Sequence, residues 1–215
     1  MNRRTSLVAL AGALLIAGGF AVTAAAAPTG VTSDDASKVV AVGKGSLDAG
    51  KLAYHRKCWG VKPSPGHGCE VSAVVPKAWK LTKLSTYHAR FDDSSRTWML
   101  RIDGNLPGTK STSAAALAKQ RALRGTPGLK VISRVSAKVR SDLPDHSVMA
   151  VTTLTYSYTD GARGTRLVTT RYVAPYEQGA ANHAYIEITA AGGTKDKAGL
   201  QALVTKATKT VALAG

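Results

Sequence analysis

The chain is short of catalytic signatures, aromatic side chains, long apolar runs, cysteine and acid, and each shortage bears on function. Its 215 residues contain no G-x-S-x-G elbow, P-loop, dinucleotide fingerprint or H-E-x-x-H helix, so no motif announces a reaction. Gly43-Lys44-Gly45-Ser46 has the glycines of a phosphate loop without its length or its strand–helix setting, and reads as linker. Phe, Trp and Tyr together make up 6%. Single strands of nucleic acid are held by aromatics interleaved with basic residues. Tyr156 and Tyr158 are the only rings near the basic segments, so nucleic acid is not the expected partner. Beyond the first 27 residues no apolar run is long enough to span a bilayer.

Acid is the shortage with the widest reach. Thirteen Asp and Glu face 29 Lys and Arg, a formal net charge of +16. Such an excess favours contact with anions, which here means an anionic cell-wall polymer or an envelope protein, and it is an argument about partners rather than fold.

What is present begins with an export signal. A basic start, Met1-Asn2-Arg3-Arg4, precedes the uncharged run Leu7 to Val22, and Thr23 to Pro28 supplies the small residues of a cleavage site. Residues 1–26 are therefore expected to be a signal peptide. The alternative is an uncleaved anchor over Leu7 to Ala27 that holds the protein at the envelope. Removing the leader takes Arg3, Arg4 and no acid, and leaves +14. With no cysteine near the cut, nothing supports a lipid anchor, and no membrane span is expected after leader removal.

Only two cysteines occur, Cys58 and Cys69, and in an exported chain a disulfide between them is the default. A ring of this size adds roughly 3 kcal/mol by constraining the unfolded chain. The competing set His55, Cys58, His67 and Cys69 lacks the spacing of a zinc module, and no metal or cofactor is expected. Residues 27–50 read as a flexible linker with one apolar patch, Val39 to Val42. Residues 51–69 read as a disulfide-stapled strap, and residues 70–215 as the folded domain.

Within that domain, period-2 runs place strands at 70–75, 86–92 and 96–103, with Trp79 folded back as a core plug. The segment AAALAKQRALR, capped by Ser111 to Ser113 and stopped by Gly125, reads as a helix. Strands follow at 129–140, 148–159, 165–176 and 183–189, with a tight hairpin at Asp160-Gly161. A terminal helix carries the stripe Leu200, Leu203, Val204, Ala207 and Val211. The order βββ-α-ββββ-α with hairpin-length connections implies an α+β domain, a largely antiparallel sheet with helices packed on it.

The residues Val74-Val75-Pro76-Lys77-Ala78-Trp79, then Trp98-Met99-Leu100-Arg101-Ile102, then Ala118-Lys119-Gln120 leading to Pro127-Gly128, and Thr155-Tyr156-Ser157-Tyr158 before a hairpin follow one another in a known order. With the terminal helix, the stretch 70–213 resembles the PsbP-like fold of small secreted actinobacterial proteins and kinase-appended extracellular domains. Ala78 stands where that pattern has glycine before the tryptophan, and the cysteine strap is an addition to it. The resemblance implies an α/β/α sandwich and a non-enzymatic binding or accessory role, and it hands over no catalytic residue.

The most informative functional stretch is the strand from Leu129 to Arg140. Alternation puts Lys130, Arg134, Lys138 and Arg140 on one side and Val131, Val135, Ala137 and Val139 on the other. Four like charges on one face repel, and they turn either to water or to an anionic partner. Arg163, Arg166 and Arg171 of the next hairpin extend the expected patch. The histidines His55, His67, His88, His146 and His183 are scattered. His183 and Glu187 share a strand face about 13 Å apart, too far to share a proton. A secreted hydrolase, the alternative reading, needs His88, His146 or His183 to converge with Ser and Asp. A scaffold or sensor-type interaction domain is a third.

Overall fold

The computed structural model describes residues 45–60, 69–175 and 182–213. The expected leader, the patch Val39–Val42 and His67 lie outside these residues. The described residues belong to one unit, Val40–Gly215. Its main sheet has seven strands. In chain order they are β3 (Lys80–Lys83), β4 (His88–Asp92), β5 (Met99–Asp103), β6 (Lys130–Arg140), β7 (Val148–Asp160), β8 (Gly164–Ala174) and β9 (Ile186–Gly193). Their spatial order is β3-β4-β5-β9-β8-β7-β6, and every neighbouring pair is antiparallel. The β7–β8 hairpin turns through Gly161, Ala162 and Arg163, and Gly164 at φ +67° takes the left-handed conformation that a three-residue hairpin loop requires.

A second sheet holds β1 (Tyr54–Trp59), β2 (Val71–Pro76) and β10 (Ala212–Leu213), in the order β1-β2-β10. The run at 70–75, expected to open the main sheet, is instead the middle strand of this small one. A short, largely apolar run marks a buried strand without saying what it pairs with, and Val71, Ala73 and Val75 are all buried. Tyr54–Trp59, read from sequence as a strap, supplies the outer strand β1. Cys58 and Cys69 form the expected disulfide, with Cα atoms 5.7 Å apart.

Two helices cover the main sheet on opposite faces. Helix α1 (Thr112–Ala122) carries the chain from β5 across to the far edge at β6, and its N-terminus is capped by the Ser111 hydroxyl, which accepts from the Ala114 amide at 3.2 Å. Helix α2 (Lys197–Thr210) packs on β8 and β9 and also reaches β2. Its stripe Leu200, Leu203, Val204 and Ala207 is buried as the spacing predicts, and burying each Leu or Val stabilises by about 1.5–3 kcal/mol at most. The larger core lies between α2 and the two sheets. In it Trp59 meets Phe91 edge-on at 5.6 Å and Trp79 is buried. A smaller core under α1 gathers Leu154, Tyr156, Val168 and Tyr172. The fold is thus α+β, with helices on both faces of an antiparallel sheet as expected and a small sheet beside α2. Among the described residues no helix is long and apolar enough to cross a membrane.

The last residues of the segment read as linker are packed in place. Leu47 and Ala49 are buried, and the Leu47 amide donates to Asp196 Oδ1 at 2.7 Å. Gly199 on α2 lies so close that a Cβ there would overlap the Leu47 carbonyl oxygen. The Asp196 carboxylate also accepts from Trp98 Nε1 at 2.9 Å and from the Gly193 amide at 2.7 Å.

Candidate functional site

Two places on the main sheet concentrate charge: the edge strand β6 and the groove under α1. Cross-strand neighbours share a face, so the register assigns every side chain. Leu154, Tyr156, Val168, Tyr172, Glu187 and Arg101 point toward α1; Val151, Leu167, Val173, Ile186 and Ile188 point toward α2.

β6 pairs with β7 along its whole length, yet nine of its eleven residues are exposed. Val131, Ile132 and Val135 are among the large apolar side chains most open to solvent, Val135 at 58%. Arg134 lies opposite Leu154, Lys138 opposite Ala150 and Arg140 opposite Val148, so these three cations share the α1 face as alternation predicts. Lys130 does not join them. The register slips between Val131 and Ser133, and the extra residue of this bulge reverses the alternation. Lys130 therefore lies opposite Ser157 on the α2 face.

The proposed extensions of the patch also separate. Arg166 is 5% exposed. Burial, and next to it the Arg163 charge, pushes its guanidinium down, against the opposing pull of Tyr158, Asp160 and Asp196. It is a buried residue and presents nothing to a partner. Arg171 points to the α2 face, where Nε donates to Thr153 at 2.9 Å and Nη1 to Thr208 at 3.3 Å, and burial lowers its pKa. Arg163 is exposed but holds Asp160 across its turn, with Nε to Oδ2 at 2.8 Å.

The groove under α1 holds the best-built polar cluster. Glu187 on β9 accepts from Arg101 Nη2 at 2.6 Å, Tyr172 Oη at 2.9 Å and Thr189 Oγ1 at 3.2 Å, with Lys119 Nζ at 3.9 Å. Burial works to raise its pKa, but Lys119, Arg101 and the Tyr172 hydrogen bond outweigh it and hold the carboxyl below its ordinary value. Burial and then the Glu187 charge push the Tyr172 hydroxyl well up, and the same causes in the same order raise Tyr156 to about 12. Lys119 separates two cavities. One of about 310 Å³ is lined by Leu106, Ala115, Ala118 and Tyr172, and one of about 250 Å³ by Met99, Leu123, Tyr156 and Val168. Both Glu187 carboxylate oxygens are committed to a cation or a hydroxyl, an arrangement that fixes a sheet face. The cluster of Arg101, Lys119 and Glu187 escaped sequence reading because β5, α1 and β9 meet only through the β5–β9 pairing and the packing of α1 on the sheet.

The histidines do not assemble with a nucleophile among the described residues. His88 Nδ1 lies 3.8 Å from Asp103, and His146 Nδ1 lies 3.5 Å from the Ser141 carbonyl. His183 bridges to Ser111 through the backbone, but the Ser111 hydroxyl is occupied in capping α1. Nor do three or more His, Cys, Asp or Glu gather there in a way that would hold a metal.

No family model matches this chain, and no curated protein does. Solved structures with a similar arrangement of elements include the Saccharomyces cerevisiae Ran-binding protein Mog1p, at 9% identity and TM-score 0.46, covering 75% of this chain and 96% of that one. Mycobacterium tuberculosis LpqN, involved in cell envelope biogenesis, matches at 13% identity and TM-score 0.42, covering 77% and 92%. A Pseudomonas aeruginosa protein of unknown function, described as a putative regulator, matches at 15% identity and TM-score 0.39, covering 65% and 88%.

Proposed function

We propose that this chain is an exported, non-catalytic binding or accessory protein of PsbP-like type. It acts at or near the cell envelope, and meets an anionic partner through the cationic face of β6. The observation that carries the reading is the composition of that face. β6 contains no acid, and the hydrogen-bond partners of Arg134 and Arg140 are neutral oxygens, Gln120 Oε1 at 3.2 Å and the His146 carbonyl at 3.4 Å. The charges of Arg134 and Arg140 stabilise the fold little, since exposed cations contribute less than about 1 kcal/mol, and an anion can approach them. The Cys58–Cys69 disulfide supports an oxidising compartment, in keeping with the export signal expected over residues 1–26.

The test is retention on a carboxylate or phosphate polymer matrix under a salt gradient. The protein should elute later than the triple variant Arg134→Gln, Lys138→Gln, Arg140→Gln, and the gap should close as salt screens the charges. Equal retention of the two proteins at every salt concentration would sink the proposal.

A further inference from the structure

The edge that carries these cations is also the end of the sheet among the described residues. β6 ends the main sheet on one side, and from Ser133 to Arg140 it pairs with β7 in regular register. Among the described residues no strand lies beyond it, so eight consecutive residues offer a straight run of about 26 Å to a further strand. The two faces of this run differ. Arg134, Ser136, Lys138 and Arg140 point to the α1 side. Ser133, Val135, Ala137 and Val139 point to the α2 side, where they border an open cavity of about 340 Å³ whose floor includes Val151 and Arg171, the latter already bonded to Thr153 and Thr208.

We propose that β6 accepts an extended segment of a partner protein by strand addition, and that this segment alternates acidic with apolar side chains. A strand paired to Ser133–Arg140 must follow the same alternation. On the α1 side its side chains meet the guanidinium groups of Arg134 and Arg140, where carboxylates fit. On the α2 side they continue the row Val135, Ala137 and Val139 and close the cavity against α2, where apolar groups fit. A second copy of β6 is a poor occupant. Pairing β6 with itself sets Arg134 and Arg140 against like charges, and like charges directly opposite destabilise a sheet. The Ile132 bulge and the cations thus guard the edge against self-association, while Val135 remains more than half exposed. This inference rests on the anion-binding reading and narrows it to a protein partner.

The experiment uses the mature protein and a ten-residue peptide alternating glutamate and valine, compared with two isomers N-methylated at either all the glutamates or all the valines. In a strand, alternate amides point to opposite edges, so strand addition makes only one isomer fail. Binding by fluorescence anisotropy is expected for the parent peptide and one isomer, and at least tenfold weaker for the other. Hydrogen exchange should show the outward amides of Ser133–Arg140 open in the free protein and protected in the complex. If both isomers bind like the parent, attraction is by charge alone, and the strand inference falls while the anion-binding reading stands. If neither the peptides nor the polymer matrix is bound, both fall. If the outward amides are already protected in the free protein, the edge is filled, by residues 39–42 of this chain or, when protection depends on concentration, by a second copy. Either result overturns the inference.

Discussion

Two groups of cationic side chains share the α1 face of one sheet and meet opposite fates. Arg101 and Lys119 converge on Glu187 under the helix, and the carboxylate's other bonds go to Tyr172 and Thr189. Arg134, Lys138 and Arg140 stand four strand positions away, past β9, β8 and β7, on a strand without a single acid. The first group is closed on itself and holds the crossover helix to β5 and β9. In the second group Arg134 and Arg140 bond only neutral oxygens and, being exposed, contribute little to folding. Charge that a fold does not need is the better guide to a binding surface. On that ground we propose the edge, rather than the groove, as the binding surface.

The comparison breaks most visibly if the buried carboxylate is removed. Glu187→Ala leaves Arg101 facing Lys119 with the Tyr172 hydroxyl unpaired, and is expected to destabilise by about 3 kcal/mol in urea unfolding. A loss below about 0.5 kcal/mol would show that the cluster does not hold the face. Arg166→Gln tests the other buried cation. Its shorter side chain leaves a gap where a residue only 5% exposed is packed, an expected cost of about 1–3 kcal/mol, whereas Arg134→Gln on the edge should stay within about 0.5 kcal/mol. Equal effects would erase the distinction between the two groups.

Acid should also find the interior cluster. Glu187 has a folded pKa below its ordinary 4.5, so the unfolded chain takes its proton first. The stability this supplies is complete above that value and is lost as pH falls through the folded pKa. The wild type should therefore lose stability below about pH 4.5 more steeply than Glu187→Gln, and parallel acid curves would refute the role. Alkali acts on Tyr156 with the opposite sign, its stabilising share falling away between pH 10 and about 12. The smallest expected change is in the edge itself. The triple neutralisation of Arg134, Lys138 and Arg140 should leave the urea midpoint nearly unmoved, or slightly raised by relief of repulsion, while abolishing retention on the anionic matrix.

Much of this architecture can be read along the chain. The alternation from Arg134 to Arg140, the turn after Asp160, the cap at Ser111 and the stripe Leu200–Ala207 all depend on residues close in sequence, and all appear near their expected positions. What could not be read depends on neighbours. β3 carries one apolar residue, Leu81, in four, too few for alternation to register. Val71–Pro76 declared itself a buried strand but not which sheet it belonged to. The bulge at Ile132 leaves no mark in a run already rich in valine and arginine, so it moved Lys130 unseen. Arg166 had the right parity for the patch, but its burial is decided by what covers the sheet. Arg101 and Glu187 are 86 residues apart and meet because β5 adjoins β9, a pairing of strands that are not consecutive.

The Asp196 carboxylate joins three distant pieces of chain: the Leu47 amide, the Trp98 ring and the Gly193 amide. A buried acid with three donors is tolerable only while all three are present, since each donor withdrawn leaves part of a charge without compensation. The segment at Leu47, the start of β5 and the end of β9 are therefore linked in an all-or-none manner. Residues 45–50 cannot peel away as an ordinary loose end would, and hydrogen exchange at Leu47 should follow the global unfolding of the sheet rather than local fraying.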